Sequence, residues 1–181
     1  DIQDFIGNSY MEICLEQLND LSMSGDYRIT SGDCEVGFAS IAKKSFKLQP
    51  GGVVSWSGNP YDAILDVQAN YFAKANPYEA VPSLLEENGS TKTNVECALK
   101  LEESLMAPKI RFGLDVPNGT DDMKDIINRI ESESDELNRQ FFSLLLLNKF
   151  QPLSGESGSS GSSGAVGDLF ASKINELLDD I

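Results

Sequence analysis

The chain has no histidine among its 181 residues. That excludes Ser-His-Asp and Cys-His hydrolytic centres and every histidine-ligated metal site. Basic residues are scarce as well: 14 Lys and Arg stand against 29 Asp and Glu, a net charge of −15. A field of that sign repels nucleic-acid phosphates and anionic headgroups, so nucleic acid is excluded as a partner. Cysteine is limited to Cys14, Cys34 and Cys97, which match no close-spaced metal pattern. They read as inert buried thiols, and a single disulfide in an oxidising compartment would leave one thiol over. Long apolar runs are also missing. A membrane helix needs ~20 consecutive apolar residues, and the nearest stretch, Phe141 to Leu147, is far shorter. The chain opens at Asp1 with no signal-like segment, so it reads as a piece of a larger protein.

Candidate chemistry among the residues that are present is thin. Gly51-Gly52 precedes a strand pattern and has no following Lys-Ser/Thr, so it reads as a turn and not a phosphate loop. The acidic pairs Asp121-Asp122 and Asp179-Asp180 lack calcium-loop spacing. Asp62 with Asp66, and Glu102 with Glu103, fall on positions that read as solvent-facing and are most simply solubilising. No catalytic residue, metal site or cofactor is expected.

The dominant pattern from Met11 to Val116 is alternation with a period of two. Ala63, Leu65, Val67, Ala69 and Tyr71 are apolar on one parity, with Asp62, Asp66, Gln68 and Asn70 on the other and Ile64 the single exception. Val95, Cys97, Leu99 and Leu101 repeat the pattern, as do Ile110, Phe112, Leu114 and Val116. Shorter strands are predicted at Met11 to Leu15, Tyr27 and Ile29, Cys34 to Phe38, Phe46 and Leu48, and Val54 to Trp56. Turns are predicted at Ser31-Gly32-Asp33, Pro50-Gly51-Gly52 and Gly58-Asn59-Pro60. The expectation is an antiparallel meander of roughly eight strands with one apolar face. Residues 72–93, punctuated by Pro77, Pro82 and Gly89, read as an excursion with a helical turn near Ser83 to Leu85.

Beyond Pro117-Asn118-Gly119 the period becomes 3.6. Thr120 is placed to cap a helix whose stripe is Met123, Ile126, Ile127 and Ile130. A second helix, capped by Ser132 or Ser134, runs through Leu137, Phe141, Leu144 and Leu145 to Lys149. Ser154 to Gly164 is Ser/Gly-rich and reads as a flexible tether. A final amphipathic helix follows, and its residues Leu169, Phe170, Ile174, Leu177 and Leu178 are candidates for docking on the sheet or on a partner. The organisation expected is a sheet over 1–116, two helices over 117–150, a linker over 151–165 and a terminal helix over 166–181.

Specific runs resemble the C-terminal domain of the TamB family, most like its Bacteroidota-type form. They are Gly25-Asp26-Tyr27-Arg28-Ile29, then Phe46 through Pro60 with its Gly-Gly and Trp-x-Gly-x-Pro turns, then Ala63 to Tyr71. Ala107-Pro108-Lys109-Ile110-Arg111-Phe112, Val116-Pro117-Asn118, Leu137-Asn138-Arg139-Gln140 and Asn148-Lys149-Phe150 continue the match. The resemblance implies a mainly β domain, an elongated antiparallel sheet curved as a half-pipe (β-taco) with C-terminal helices. It implies a periplasmic, AsmA-like bridge protein anchored in the inner membrane by a region outside this chain and reaching the outer membrane. It implies an Omp85-family barrel partner, TamA-like or BamA-like, and a part in outer-membrane protein assembly or phospholipid transport. No active-site residues come with it.

Three readings of the apolar parity follow. It is a lipid-holding groove, a scaffold for unfolded barrel strands or the barrel partner, or the closed core of a structural β-sandwich. The groove reading assigns its lining to Tyr27, Ile29, Val36, Phe38, Phe46, Leu48, Trp56, Leu65, Val67, Leu99, Ile110 and Phe112. Ordinary core is the commonest use of such residues.

Overall fold

Alternating apolar residues become strands because successive side chains of an extended backbone point to opposite faces. The computed structural model describes residues 2–15, 21–38 and 42–155, with side chains over 21–36 and 43–155. Seven strands appear among them: β1 (Ile2–Leu15), β2 (Leu21–Phe38), β3 (Ala42–Leu48), β4 (Val53–Gly58), β5 (Ile64–Ala75), β6 (Thr93–Ser104) and β7 (Lys109–Asp115). Three helices join them: α1 (Pro82–Asn88), α2 (Asp121–Glu131) and α3 (Ser134–Leu147). The fold is mainly β, one antiparallel sheet with helices following it in the chain. The sheet order is β1-β2-β3-β5-β6-β7, with β4 paired to both β2 and β5.

That order is not a plain meander, and two expected turns are absent. Ser31-Gly32-Asp33 lies inside β2, which is continuous for 18 residues. The turn-favouring residues there sit beside a bulge. Gly7 faces Ile29 and Ile6 faces Ser31, so Thr30 is an additional residue on β2. It carries Gly32, Cys34 and Val36 onto the side that Tyr27 and Ile29 occupy. Ser31, Asp33 and Glu35 are accordingly exposed.

Pro50-Gly51-Gly52 is likewise an in-line break and not a reversal. β3 and β4 are both antiparallel to β5, Leu48 facing Ala69 and Val54 facing Leu65. They follow one another in a single slot beside the longer β2 and β5. Gln49 donates its N–H to the Gln68 carbonyl at 2.8 Å as the chain leaves β3. Gly51 takes a φ of 95°, a conformation that side-chain-bearing residues rarely adopt. The reversal at Gly58-Asn59-Pro60 is real: Asn59 Oδ1 accepts from the Tyr61 N–H and its carbonyl from the Asp62 N–H, both at 3.0 Å. The excursion starts later than expected, because β5 continues to Ala75 with Ala73 and Ala75 buried.

The chain divides into two compact units. The first contains Asp1–Val36, Lys43–Tyr71 and Ala98–Phe112; the second contains Gly37–Ala42, Phe72–Cys97 and Gly113–Ile181. In the second unit Asn76 caps a 3-10 turn (Pro77–Ala80), its side chain accepting from the Tyr78 N–H. The helical turn expected near Ser83 is α1. Thr120 caps α2 by accepting from the Met123 N–H at 3.3 Å, and it also meets Tyr78 Oη at 3.0 Å. The predicted stripe Met123, Ile126, Ile127 and Ile130 is the buried face of α2. In α3, Phe141, Phe142, Leu144 and Leu145 are buried, as its nearly all-round apolar sequence requires. Neither serine caps α3. Its N-cap is Glu133 without a side-chain bond, and Ser132 closes the end of α2 by donating to the Arg129 carbonyl at 2.7 Å.

Past α3, Asn148 takes the left-handed conformation (φ 52°, ψ 42°) that ends a helix and reverses the chain. Residues 149–154 then run back over α3 and are held there. Gln140 donates to the Gln151 carbonyl at 2.7 Å and accepts from the Gln151 N–H at 2.9 Å, and Ser143 Oγ donates to the Lys149 carbonyl at 2.7 Å. Buried Glu136 accepts from Arg139, Gln140 and Ser154, while Arg139 also donates to the Pro152 carbonyl. Leu153, placed by sequence in the Ser/Gly-rich stretch, is buried and donates its N–H to the Ala80 carbonyl at 2.8 Å. The predicted terminal helix with Leu169, Phe170, Ile174, Leu177 and Leu178 lies outside the described residues.

Candidate functional site: the apolar face of the first unit

Residues directly opposite in an antiparallel pair share a face, so the register decides which predicted groove residues belong together. Tyr27, Val54 and Leu65 stand in one row across β2, β4 and β5. Trp56 faces Gly25 one step along that side, and Leu48 faces Ala69 beyond the break. Six positions separate Leu48 from Val54 and four separate their partners, so the break adds an even number and leaves the face uninverted. Phe46 then meets Tyr71 with ring centroids 5.8 Å apart, and Lys44 Nζ lies 5.3 Å from the Tyr71 centroid.

The opposite face is defined by charge. Arg28, Val53 and Asp66 form a row there. Asp66 meets Lys100 Nζ at 3.6 Å, Lys100 meets Glu102 at 2.9 Å, and Glu102 meets Arg111 at 2.5 Å. The hydrogen bond with Lys100 holds the Glu102 carboxyl below its usual range, and the same bond raises the Lys100 ammonium. Alternation from Lys100 and Arg111 turns Leu99, Ile110 and Phe112 to the apolar side. On β4 to β7 that side carries no charged residue: Val54, Trp56, Ala63, Leu65, Val67, Ala69, Tyr71, Leu99, Leu101, Ile110 and Phe112.

Burial grades across this face. Ile29 at 1%, Phe46 at 0%, Leu48 at 7%, Leu65 and Val67 at 8% and Leu99 at 6% exposure are core-like. Tyr27, Val36, Trp56, Ile110 and Phe112 are half-buried. The structure thus brings eleven of the twelve predicted lining residues to one side but gives six of them the burial of ordinary core. The Phe38 side chain lies outside the described residues. Tyr27, Val54, Trp56 and Ile110 lie toward the end of the sheet that carries the β4–β5 and β6–β7 turns. Trp56 is fixed there by donating its indole N–H to the Pro60 carbonyl at 3.0 Å.

What such a surface does chemically is hold apolar groups. Burying a methylene is worth ~0.8 kcal/mol without any directional bond. In the second unit Val81, Leu84, Asp122, Asp125, Ile126 and Arg129 line an open cavity of about 260 Å³, smaller than the ~300–1,000 Å³ of usual ligand pockets. Cys97 is fully buried and its thiol is pushed up to about 12 by desolvation, so it is inert at neutral pH. Cys34 is half-buried and raised for the same reason, with Asp33 adding to it. Cys14 on β1 and Cys34 on β2 cannot be bridged: Cys14 faces Ser22 and Cys34 faces Ile2, at opposite ends of the pair. Among the described residues no group of three or more His, Cys, Asp or Glu is placed to hold a metal ion. Likewise, no described helix is long and apolar enough to cross a membrane.

Sequence reasoning missed the buried carboxylate Glu136, whose partners are brought together only by the chain's return over α3. It also missed the exposed apolar residues Tyr61, Leu105 and Met106, which lie in turns where no periodicity flags them. No curated protein and no solved structure matches the chain. Residues 13–181 match the TamB C-terminal domain, so the chain belongs to that family and to the envelope-biogenesis role that goes with it.

Proposed function

We propose that the chain is a non-enzymatic module of the Gram-negative envelope whose apolar sheet face holds phospholipid acyl chains in passage between the inner and outer membranes. The observation that carries this reading is the graded face: a side without charged residues on β4 to β7, with a buried centre and half-buried Tyr27, Trp56, Ile110 and Phe112. A face that takes up and releases acyl chains needs an accessible margin, and these half-buried side chains supply one. Ten methylenes held there would contribute roughly 8 kcal/mol, which offsets removing the same ten methylenes from a bilayer without covalent chemistry. The full-length protein would be anchored in the inner membrane by a region outside this chain, work in the periplasm and meet an Omp85-family barrel at the outer membrane.

A second reading is favoured by the open strand order. Among the described residues β1 and β7 end the sheet, and a terminal strand offers backbone donors and acceptors to an incoming β-segment. β7 is partly closed to this, since Glu131 Oε1 accepts from the Leu114 N–H at 3.0 Å. That leaves β1 as the edge for a nascent outer-membrane protein or for structural docking of the barrel partner. Native mass spectrometry of the chain purified from bacterial membranes, followed by lipid extraction, separates the two. Co-purified phospholipid that is lost in Phe112→Asp supports lipid holding; a lipid-free chain that binds the barrel partner overturns it.

A further inference from the structure

Among the described residues of the first unit, four of the five exposed large apolar side chains gather at the turns of one end of its sheet; the fifth, Ile64, is on β5 on the side of Asp66. Tyr61 is 68% exposed in the β4–β5 turn, and Met106 at 69% and Leu105 at 42% lie just past β6. The Leu105 N–H donates to the Ala63 carbonyl at 2.8 Å, which ties the two turns together. Leu21, 43% exposed, begins β2 at the same end, because Met23 faces Gly58. In an acidic chain the segments 21–25, 57–61 and 104–108 at this end contain no Asp, Glu, Lys or Arg, and among the described residues Glu12 on β1, facing Ser24, is the charged residue nearest to them on that side of β2. Asp62 and the Lys109–Glu103 pair, at 3.7 Å, mark where charge resumes.

We propose that this turn end is a lipid-bilayer docking tip, with Tyr61, Leu105 and Met106 entering the interface of a zwitterionic membrane. The proposal rests on the lipid-holding reading above, which it supplies with an entrance. Tyr, Leu and Met at turn tips match an interface that is apolar on one side and wet on the other. Exposed apolar residues clustered on a soluble surface mark a contact site. Three observations select a neutral bilayer as the occupant. The residues of the β4–β5 and β6–β7 turns that lead the tip, 57–61 and 104–108, carry no charge, and the acidic chain behind them, Glu12 opposite Ser24 included, disfavours anionic headgroups. The half-buried end of the apolar face, with Trp56 hydrogen-bonded into the β4–β5 turn, is continuous with the tip, so an acyl chain can pass from one to the other without crossing charged surface.

Trp56 is the chain's one tryptophan and sits at the tip, so its fluorescence reports directly on insertion. The test mixes the 181-residue chain with phosphatidylcholine vesicles, reading flotation, the Trp56 emission shift and quenching by lipids brominated near the headgroup. The double variant Tyr61→Asp, Met106→Asp changes two exposed side chains and should keep the wild-type circular dichroism. The result expected is vesicle binding by wild type with a blue shift and quenching, weakened at least tenfold in the variant. Binding of monomeric short-chain phosphatidylcholine should survive in that variant. Absence of vesicle binding, binding indifferent to the variant, or binding only when anionic lipid is present would overturn the tip. So would tip-dependent binding to an Omp85-type barrel without vesicle binding, which would make the tip a protein contact. Should short-chain lipid bind while vesicles do not, the tip fails and lipid holding stands. Should vesicles bind while short-chain lipid does not, lipid holding fails and the tip stands.

Discussion

Ile29 and Gly52 are joined by a backbone hydrogen bond, the Ile29 N–H donating to the Gly52 carbonyl at 2.8 Å, while the Ile29 carbonyl accepts from the Gly51 N–H at 2.9 Å. These bonds let β3 pass into β4 without leaving the sheet. At Gly51 a Cβ would meet no atom, yet φ is 95°. Gly51→Ala should therefore destabilise the chain by about 1–2 kcal/mol through backbone strain alone. At Gly52 a Cβ would meet Ile29 Cδ1 at 3.2 Å and the Asp66 carbonyl oxygen at 3.3 Å, so Gly52→Ala should cost stability through crowding. Urea denaturation of the two variants measures both, and a Gly51→Ala midpoint equal to wild type would show that the strain is absent.

Leu65 and Phe112 share a face but should answer differently to charge. Leu65 is 8% exposed, and Leu65→Asp buries an unpaired carboxylate, a loss of ~3 kcal/mol or more. Phe112 is half-buried, so Phe112→Asp keeps its carboxylate near water and should leave the fold largely intact while abolishing lipid binding. Thermal melts beside lipid extraction of both variants test this. Equal unfolding of the two would assign the whole face to core.

Glu136 is 7% exposed and gathers Arg139, Gln140 and Ser154. Glu136→Ala leaves those donors without their acceptor, and the loss should be on the order of 1–3 kcal/mol. Because the network pins the returning chain, limited proteolysis should move to residues 149–154 before the rest of the unit opens. Cleavage unchanged from wild type would mean that Leu153 and Phe150 hold the segment by burial alone.

The ion-pair row on the opposite face has a pH signature of definite sign. The folded state lowers the Glu102 carboxyl, so its contribution is present above the unfolded carboxylate range and is lost as pH falls through the folded value. The folded state raises Lys100, so that contribution is present below the ordinary ammonium range and is lost as pH rises through the folded value. Glu102→Gln should flatten the acid side of the stability curve. Since these groups are only half-buried and lie at the surface, 1 M salt should shrink the difference between variant and wild type. A salt-independent difference would contradict this origin.

What was legible in the sequence follows from how many residues carry each signal. Val67 to Tyr71, Leu99, Phe112 and the Met123-Ile126-Ile127-Ile130 stripe are long periodic runs, and the structure places their apolar residues as the period demands, although Asn70, on the parity that reads as solvent-facing, is buried. Ser31-Gly32-Asp33 defeated the reading because turn-favouring residues also occur inside a strand, here just past the bulge at Thr30. Pro50-Gly51-Gly52 defeated it because the same residues serve a reversal or an in-line break. The lining set was assembled on the correct side, but the difference between Leu65 and Phe112 was invisible, since burial depends on what lies over each residue. The Glu136 network was beyond reach for a similar reason: its partners, at 139, 140 and 154, are joined by the reversal at Asn148, which no apolar period announces.

The break between β3 and β4 makes this part of the chain sensitive to the arithmetic of its own length. Deleting one residue between Gln49 and Gly52 would exchange inside for outside along all of β4, putting Ser55 among the apolar residues and Trp56 among the ion pairs. Deleting two would only straighten the strand. Changes of length here should therefore be tolerated in pairs and rejected singly, although nothing in the composition of the loop distinguishes odd from even.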